Sequence, residues 1–182
     1  MKISQAKELL YKWVQSESLR GHCESVAKSM RGLAEFYVTQ GEAENVENWV
    51  VTGLLHDFDY EKYPSLTEHP YKGVEYLRSI GVDEEILKAI LGHSHETGVK
   101  RVSLMAKALF AVDELSGFVV AIAKVRPGGF EGMEVSSVKK KLKDKAFAAA
   151  VSREDIRLGA EELGLELEKI IDLVIEAQRS EL

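Results

Sequence analysis

Apolar residues recur at helical spacing along almost the whole chain. Period-two alternation is absent, apart from a possible extended piece near Gly98 to Val102. The pattern predicts a first helix from about Ser4 to Gln15 and a second from about Leu19 to Gln40, stopped by Gly41. A third is expected from about Glu44 to His56, followed by a loop from Phe58 to Glu68 that holds Pro64. Pro70 can open a fourth helix, which Gly81 closes. Asp83 can cap a fifth through Ile86, Leu87, Ile90 and Leu91. A sixth is expected from about Ser103 to Lys124, before a loop at Gly128 and Gly129. A lysine-rich helix from about Ser136 follows. Ser152-x-x-Asp155, a capping-box variant, then opens another, and the last runs from about Leu165 to Gln178. The fold class is all-α, a compact helical bundle. In the last helix, Leu173, Val174 and Ala177 suit either the core or a dimer face.

Length and composition narrow the picture. A chain of 182 residues, 45% apolar and 30% charged, suits one domain that buries its own core without a disulfide or metal. The expected division is a single domain over 1–182, with its chemistry within about 19–117 and a C-terminal helical extension over about 130–182. A net charge of −6 argues against a binder of DNA or RNA polymer, though not against one nucleotide in a locally positive pocket. Cys23, the single cysteine, forms no internal disulfide, which points to a reducing compartment. The first residues lack a signal peptide's apolar core, and the longest apolar run, Phe118 to Ala123, is too short to span a bilayer. A cytoplasmic protein with no membrane partner is the expectation.

Three polar positions stand out because their surroundings are apolar. His22 continues through Val26, Leu33 and Tyr37 along one face of the second helix. His56 ends the run from Trp49 to Leu55, and Asp57 follows it. Asp113 lies in ALFAVDELSGFVVAIA, where an ionised carboxylate costs several kcal/mol unless paired or bound to a cation. Singly, each reads first as a hydrogen-bonded core residue. Together, imidazole and carboxylate suit a divalent first-row transition metal, and one cation satisfies all three positions.

The ordered set His22, His56-Asp57 and Asp113 resembles the H…HD…D motif of the HD superfamily of metal-dependent phosphohydrolases, over roughly Leu19 to Gly117. His69-Pro70-x-x-Gly73, and Lys88 to His93, are similar to segments of the HDIG-type branch, whose site is binuclear. The resemblance implies an HD-domain bundle with one or two divalent ions per chain, the binuclear site favoured. Fe, Mn, Co, Ni, Zn and Mg stay open as the metal. It implies that His22, His56, Asp57 and Asp113 bind one ion. His69 and His93 bind a second, with Asp57 bridging. If His69 does not reach back across its short loop, the site is mononuclear. The implied activity is hydrolysis of a nucleotide or another small phosphorylated metabolite by a metal-activated water. Asp57, His93 and His95 are the implied catalytic residues. His95 stands as a ligand, an orienting residue or a proton donor.

No GYP segment follows His95, so cyclic-dinucleotide phosphodiesterases of the HD-GYP type match poorly. Cationic partners for a phosphate are sought in Arg20, Lys100, Arg101 and above all Arg126. Lys139 and Lys140 are further candidates, although SVKKKLKDK reads first as a solvated helix face. Asp59, Tyr60 and Glu61 are expected at the entrance, and Glu96 is an acid or an orienting group. Two alternatives stay open: a mixed-valent di-iron oxygenase, and a non-catalytic metal-containing module that binds a ligand or partner. The sequence leaves the oligomeric state open.

Overall fold

The computed structural model describes residues 1–43 and 45–182. Its helices, among the described residues, are α1 (Ile3–Trp13), α2 (Glu17–Thr39), α3 (Val46–Leu55), α4 (Tyr71–Ser79), α5 (Glu84–His93), α6 (Leu104–Lys124), α7 (Val135–Leu142), α8 (Arg153–Leu163) and α9 (Leu167–Arg179), with a short 3-10 turn at His95–Thr97. The expected start of the third helix, Glu44, lies outside the described residues. Residues 98–102 form no strand; the loop is irregular and is tied down by Arg101.

Short polar side chains set many of the helix starts. Ser16 accepts from the Leu19 amide, Asn45 from Asn48, Asp83 from Glu85 and Ser103 from Ala106. Each such cap contributes about 1 kcal/mol by satisfying an orphan amide. Gly164 ends α8 at φ +72°, a left-handed conformation that glycine adopts without strain.

The apolar stretch in the middle of the chain becomes α6, and its neighbours explain its composition. Helices α2, α5, α8 and α9 all pack against it. Phe118, Leu109 and Val112 are fully buried there. Two glycines let helices approach closely. A Cβ on Gly53 of α3 would lie 2.6 Å from the Ala27 Cα of α2, and one on Gly159 of α8 would lie 2.5 Å from the Ala111 Cα of α6.

The last helix is core. Val174 is buried, and Gln178 donates to the Ser25 carbonyl at 2.8 Å and to Ser29 Oγ at 2.9 Å. Ser29 and Ser116 share a hydroxyl hydrogen bond at 2.7 Å, so a buried polar seam joins α9, α2 and α6. No described helix is long and apolar enough to cross a membrane.

Gly53 and Gly21 offer a paired test. Gly53→Ala forces a side chain into the α2 backbone and is expected to destabilise by about 1–3 kcal/mol. Gly21, exposed in α2, has nothing within 4 Å of an added Cβ, so Gly21→Ala is expected to stabilise by about 0.5–1 kcal/mol. Urea unfolding of both variants measures the contrast. Equal effects would contradict the close approach of α2 and α3.

Candidate metal centre

Five segments deliver side chains to one point. The buried face of α2 carries His22, and the end of α3 carries His56 and Asp57. The loop before α4 supplies His69, the last residue of α5 is His93, and the middle of α6 holds Asp113. Asp57 lies between two imidazole pairs. Its Oδ2 is 3.8 Å from His22 Nε2 and 3.6 Å from His56 Nε2. Its Oδ1 is 3.3 Å from His69 Nε2 and 3.2 Å from His93 Nε2. Asp113 Oδ1 closes the first group, 3.0 Å from His22 Nε2 and 3.3 Å from His56 Nε2. Two sets of donor atoms result that can each hold a metal ion, one with His22, His56 and Asp57, the other with Asp57, His69 and His93.

A surrounding layer orients the rings. His56 Nδ1 donates to the Gly53 carbonyl at 2.8 Å, and His93 Nδ1 donates to the Ile90 carbonyl. His69 Nδ1 donates to Asp59 Oδ1 at 2.7 Å. These partners assign the Nδ1–H tautomer, which turns each Nε2 lone pair toward the shared point. There the lone pairs meet carboxylate oxygens and one another; His22 Nε2 and His56 Nε2 are 3.2 Å apart. Acceptors facing acceptors repel unless a proton or a cation lies between them. The donor set therefore fits a divalent transition metal.

Electrostatics without a cation give the same result. Burial disfavours the His56 imidazolium, but the Asp57 and Asp113 carboxylates outweigh it and hold its pKa at about 9. Burial also opposes charge on His69, and its bonds to Asp57 and Asp59 raise its pKa to about 9. Burial works against ionised Asp57 and Asp113 as well. The imidazoles, His56 first, still keep both carboxyls well below the usual range.

Asp59 differs from its expected role. It is 1% exposed and lies behind the site rather than at the entrance. Its second oxygen accepts from the Gly73 amide at 2.7 Å. A Cβ on Gly73 would lie 2.7 Å from the Asp59 carboxyl carbon, which is why the His69-Pro70-x-x-Gly73 segment needs its glycine. Glu61 is also structural, accepting from the Gln15 and Ser16 amides at 2.9 Å each. Tyr60 does line the cleft, with its ring edge-on to His69.

The cleft above the centre has a volume of about 430 Å³, and Glu96, Glu114 and His95 form part of its wall. His95 stands outside both ligand sets; its Nε2 is 3.1 Å from Asp155 Oδ1 and its ring packs edge-on to Phe110. Glu114 accepts from the Ser152 amide at 3.1 Å, and burial, then the Asp113 charge, raises its pKa. The expected capping box at Ser152 is thus divided. Ser152 Oγ accepts from the Asp155 amide, but the reciprocal acceptor is Glu114, while Asp155 turns to His95.

None of the cationic side chains expected to meet a phosphate lines this cleft. Arg126 donates to Ser137 Oγ and the Gly132 carbonyl, Lys139 pairs with Glu168, and Lys140 is exposed elsewhere on α7. Arg20 and Arg101 also serve the fold. Arg20 bonds the Val14 carbonyl at 2.7 Å, and Arg101 forms a two-bond pair with Glu162. Cys23 is buried beside the centre; burial, then the charges of Asp57 and Asp113, pushes its thiol well above the ordinary range.

Residues 19–117 match the family model of the HD domain. No curated protein and no solved structure gives a significant match.

The raised histidine pKa values have a consequence for the metal-free protein. His56 and His69 hold a proton in the folded state to about pH 9, against an ordinary 6.5. Their contribution to stability is complete below about 6.5 and is lost as pH rises through about 9. With a chelator present, the urea midpoint is expected to be lower at about pH 10 than at about pH 6. A midpoint that rose over that interval would contradict the assigned environment.

Proposed function

The chain belongs to the HD-domain family, typically metal-dependent phosphohydrolases, and from that premise we propose that it hydrolyses a small phosphate ester, a nucleotide or another phosphorylated metabolite. The observation that carries this reading is Asp57, whose two oxygens face two separate imidazole pairs. His22, His56, Asp57 and Asp113 would hold one ion in this reading. His69 and His93 would hold a second, with Asp57 shared between the two sets.

Bound divalent ions in such a pair supply Lewis acidity, lowering the pKa of water and neutralising phosphoryl oxygens. The chain's own residues do the rest. The bonds from His56, His69 and His93 to Gly53, Asp59 and Ile90 fix the Nδ1–H tautomer and keep each Nε2 aimed at the centre. Asp155 holds the His95 ring at the cleft wall, and in this reading His95 hands a proton to the leaving oxygen. Ser94 and His95 also wall an adjoining basin of about 410 Å³ that carries Lys100 and Lys107. Neither lysine is ion-paired among the described residues, so both are available to a second anionic group of the substrate.

Phosphate release tests the activity. The protein, purified without oxygen, would be screened against nucleoside mono-, di- and triphosphates, sugar phosphates and a generic diester, with Mn²⁺, Fe²⁺, Co²⁺ or Mg²⁺. Turnover is expected with at least one class and is expected to vanish in Asp57→Ala. Two irons per chain and oxygen consumption without phosphate release would overturn the reading in favour of an oxygenase. A second variant tests the support behind the ligands. Asp59→Ala frees the His69 ring and is expected to weaken metal affinity by about 10- to 100-fold with the helical fold retained. Competition against a metal-sensing dye measures it, and wild-type affinity would remove Asp59 from the site.

A further inference from the structure

A separate basin lies between the end of α7, the following loop, and α8. Its volume is about 660 Å³, within the range of roughly 300–1,000 Å³ usual for small-molecule sites. Lys139, Lys143, Lys145, Arg153 and Arg157 line it, with no acidic residue, in a chain whose net charge is −6. Its floor is apolar, formed by Leu142, Ile156 and Leu167.

Two of the cations are already committed. Lys139 pairs with Glu168. The Arg153 guanidinium donates to the carbonyls of Asp144, Phe147, Ala148 and Val151, which pins the loop that walls the basin. Lys143, Lys145 and Arg157 make no ion pair or side-chain hydrogen bond among the described residues. A lysine-rich helix alone is ordinarily a solvated face. Here the loop after α7 and the first turns of α8 bring Lys143, Lys145 and Arg157 to the wall of one partly apolar basin, where no acidic side chain answers them.

We infer that this basin is a binding site, distinct from the metal centre, for an amphipathic organic anion with an apolar body and a phosphate or carboxylate head. The head meets Lys143, Lys145 and Arg157 by charge-assisted hydrogen bonds, and the body covers Leu142, Ile156 and Leu167. Val151 walls both this basin and the metal cleft, and the adjoining Ser152 amide is held by Glu114 of the cleft. The two sites are therefore neighbours, and the experiment has to tell them apart.

The probe is 1-anilinonaphthalene-8-sulfonate, an aromatic anion, titrated by fluorescence into the full-length protein. One saturable site per chain is expected. Decyl phosphate, decanoate or both should displace the probe, and the preferred head names the natural one. Decanol and inorganic phosphate, the body and the head alone, should displace it at least about tenfold more weakly. The double variant Lys143→Glu/Arg157→Glu should weaken binding by about tenfold or more, since both side chains are exposed and uncommitted. Ala149→Trp should block the basin with every charge intact. Asp57→Ala should leave probe binding unchanged, so failure of the phosphohydrolase reading does not touch this one. Unaltered binding in both basin variants, or loss of binding in Asp57→Ala, would overturn it. So would displacement by inorganic phosphate as effective as by decyl phosphate.

Discussion

Everything about the centre depends on the crowding of hydrogen-bond acceptors around Asp57. Two carboxylates and four imidazole Nε2 atoms converge at separations too short for water to stand between them. His56 is wholly buried, so its ring cannot turn outward to escape. Such a cluster is costly alone and favourable around a positive charge. Protons supply that charge in the metal-free protein, at the price of raised histidine pKa values. A divalent ion supplies it with the imidazoles neutral.

The helices are arranged to hold this crowding in place. The close passage of Gly53 over Ala27 brings α3 against α2, and the Gly53 carbonyl then receives the His56 ring. The same glycine therefore sets both a helix contact and a ligand's orientation. Asp59 links the loop before α4 to the centre in a similar way, since it holds the His69 ring and the Gly73 amide together. Beyond the site, Gln178 and the serine seam draw α9 onto α2 and α6, the two helices that carry His22 and Asp113.

Local chemistry made the helices legible in the sequence. Asp83, Ser103 and Ser152 cap helices where their side chains predict, because a cap depends only on residues two or three positions away. The convergence of His22, His56, Asp57 and Asp113 was legible too, since each is a polar residue in an apolar setting. Asp59 was not, because its partners, His69 and Gly73, are 10 and 14 residues distant and meet it only once the loop folds. A carboxylate two residues beyond His56-Asp57, ahead of a glycine-containing segment, is the signal that marks it. Arg20, Arg101 and Arg126 looked available in one dimension. In three, backbone carbonyls and neighbouring side chains take up their guanidinium groups.

The distribution of charge around the cleft follows from the same constraint. Asp57, Glu96, Asp113 and Glu114 line it, and no lysine or arginine does. An ammonium or guanidinium within reach of Asp57 would satisfy the carboxylate oxygens and compete with a divalent ion for them. Keeping such groups out leaves the acceptors unmatched until a metal or protons arrive. Uncommitted cations stand beyond the walls instead, among them Lys100 and Lys107 past His95, and Lys143, Lys145 and Arg157 past Val151. Positive side chains on either side of a carboxylate-lined cleft set opposite fields next to one another within one small fold.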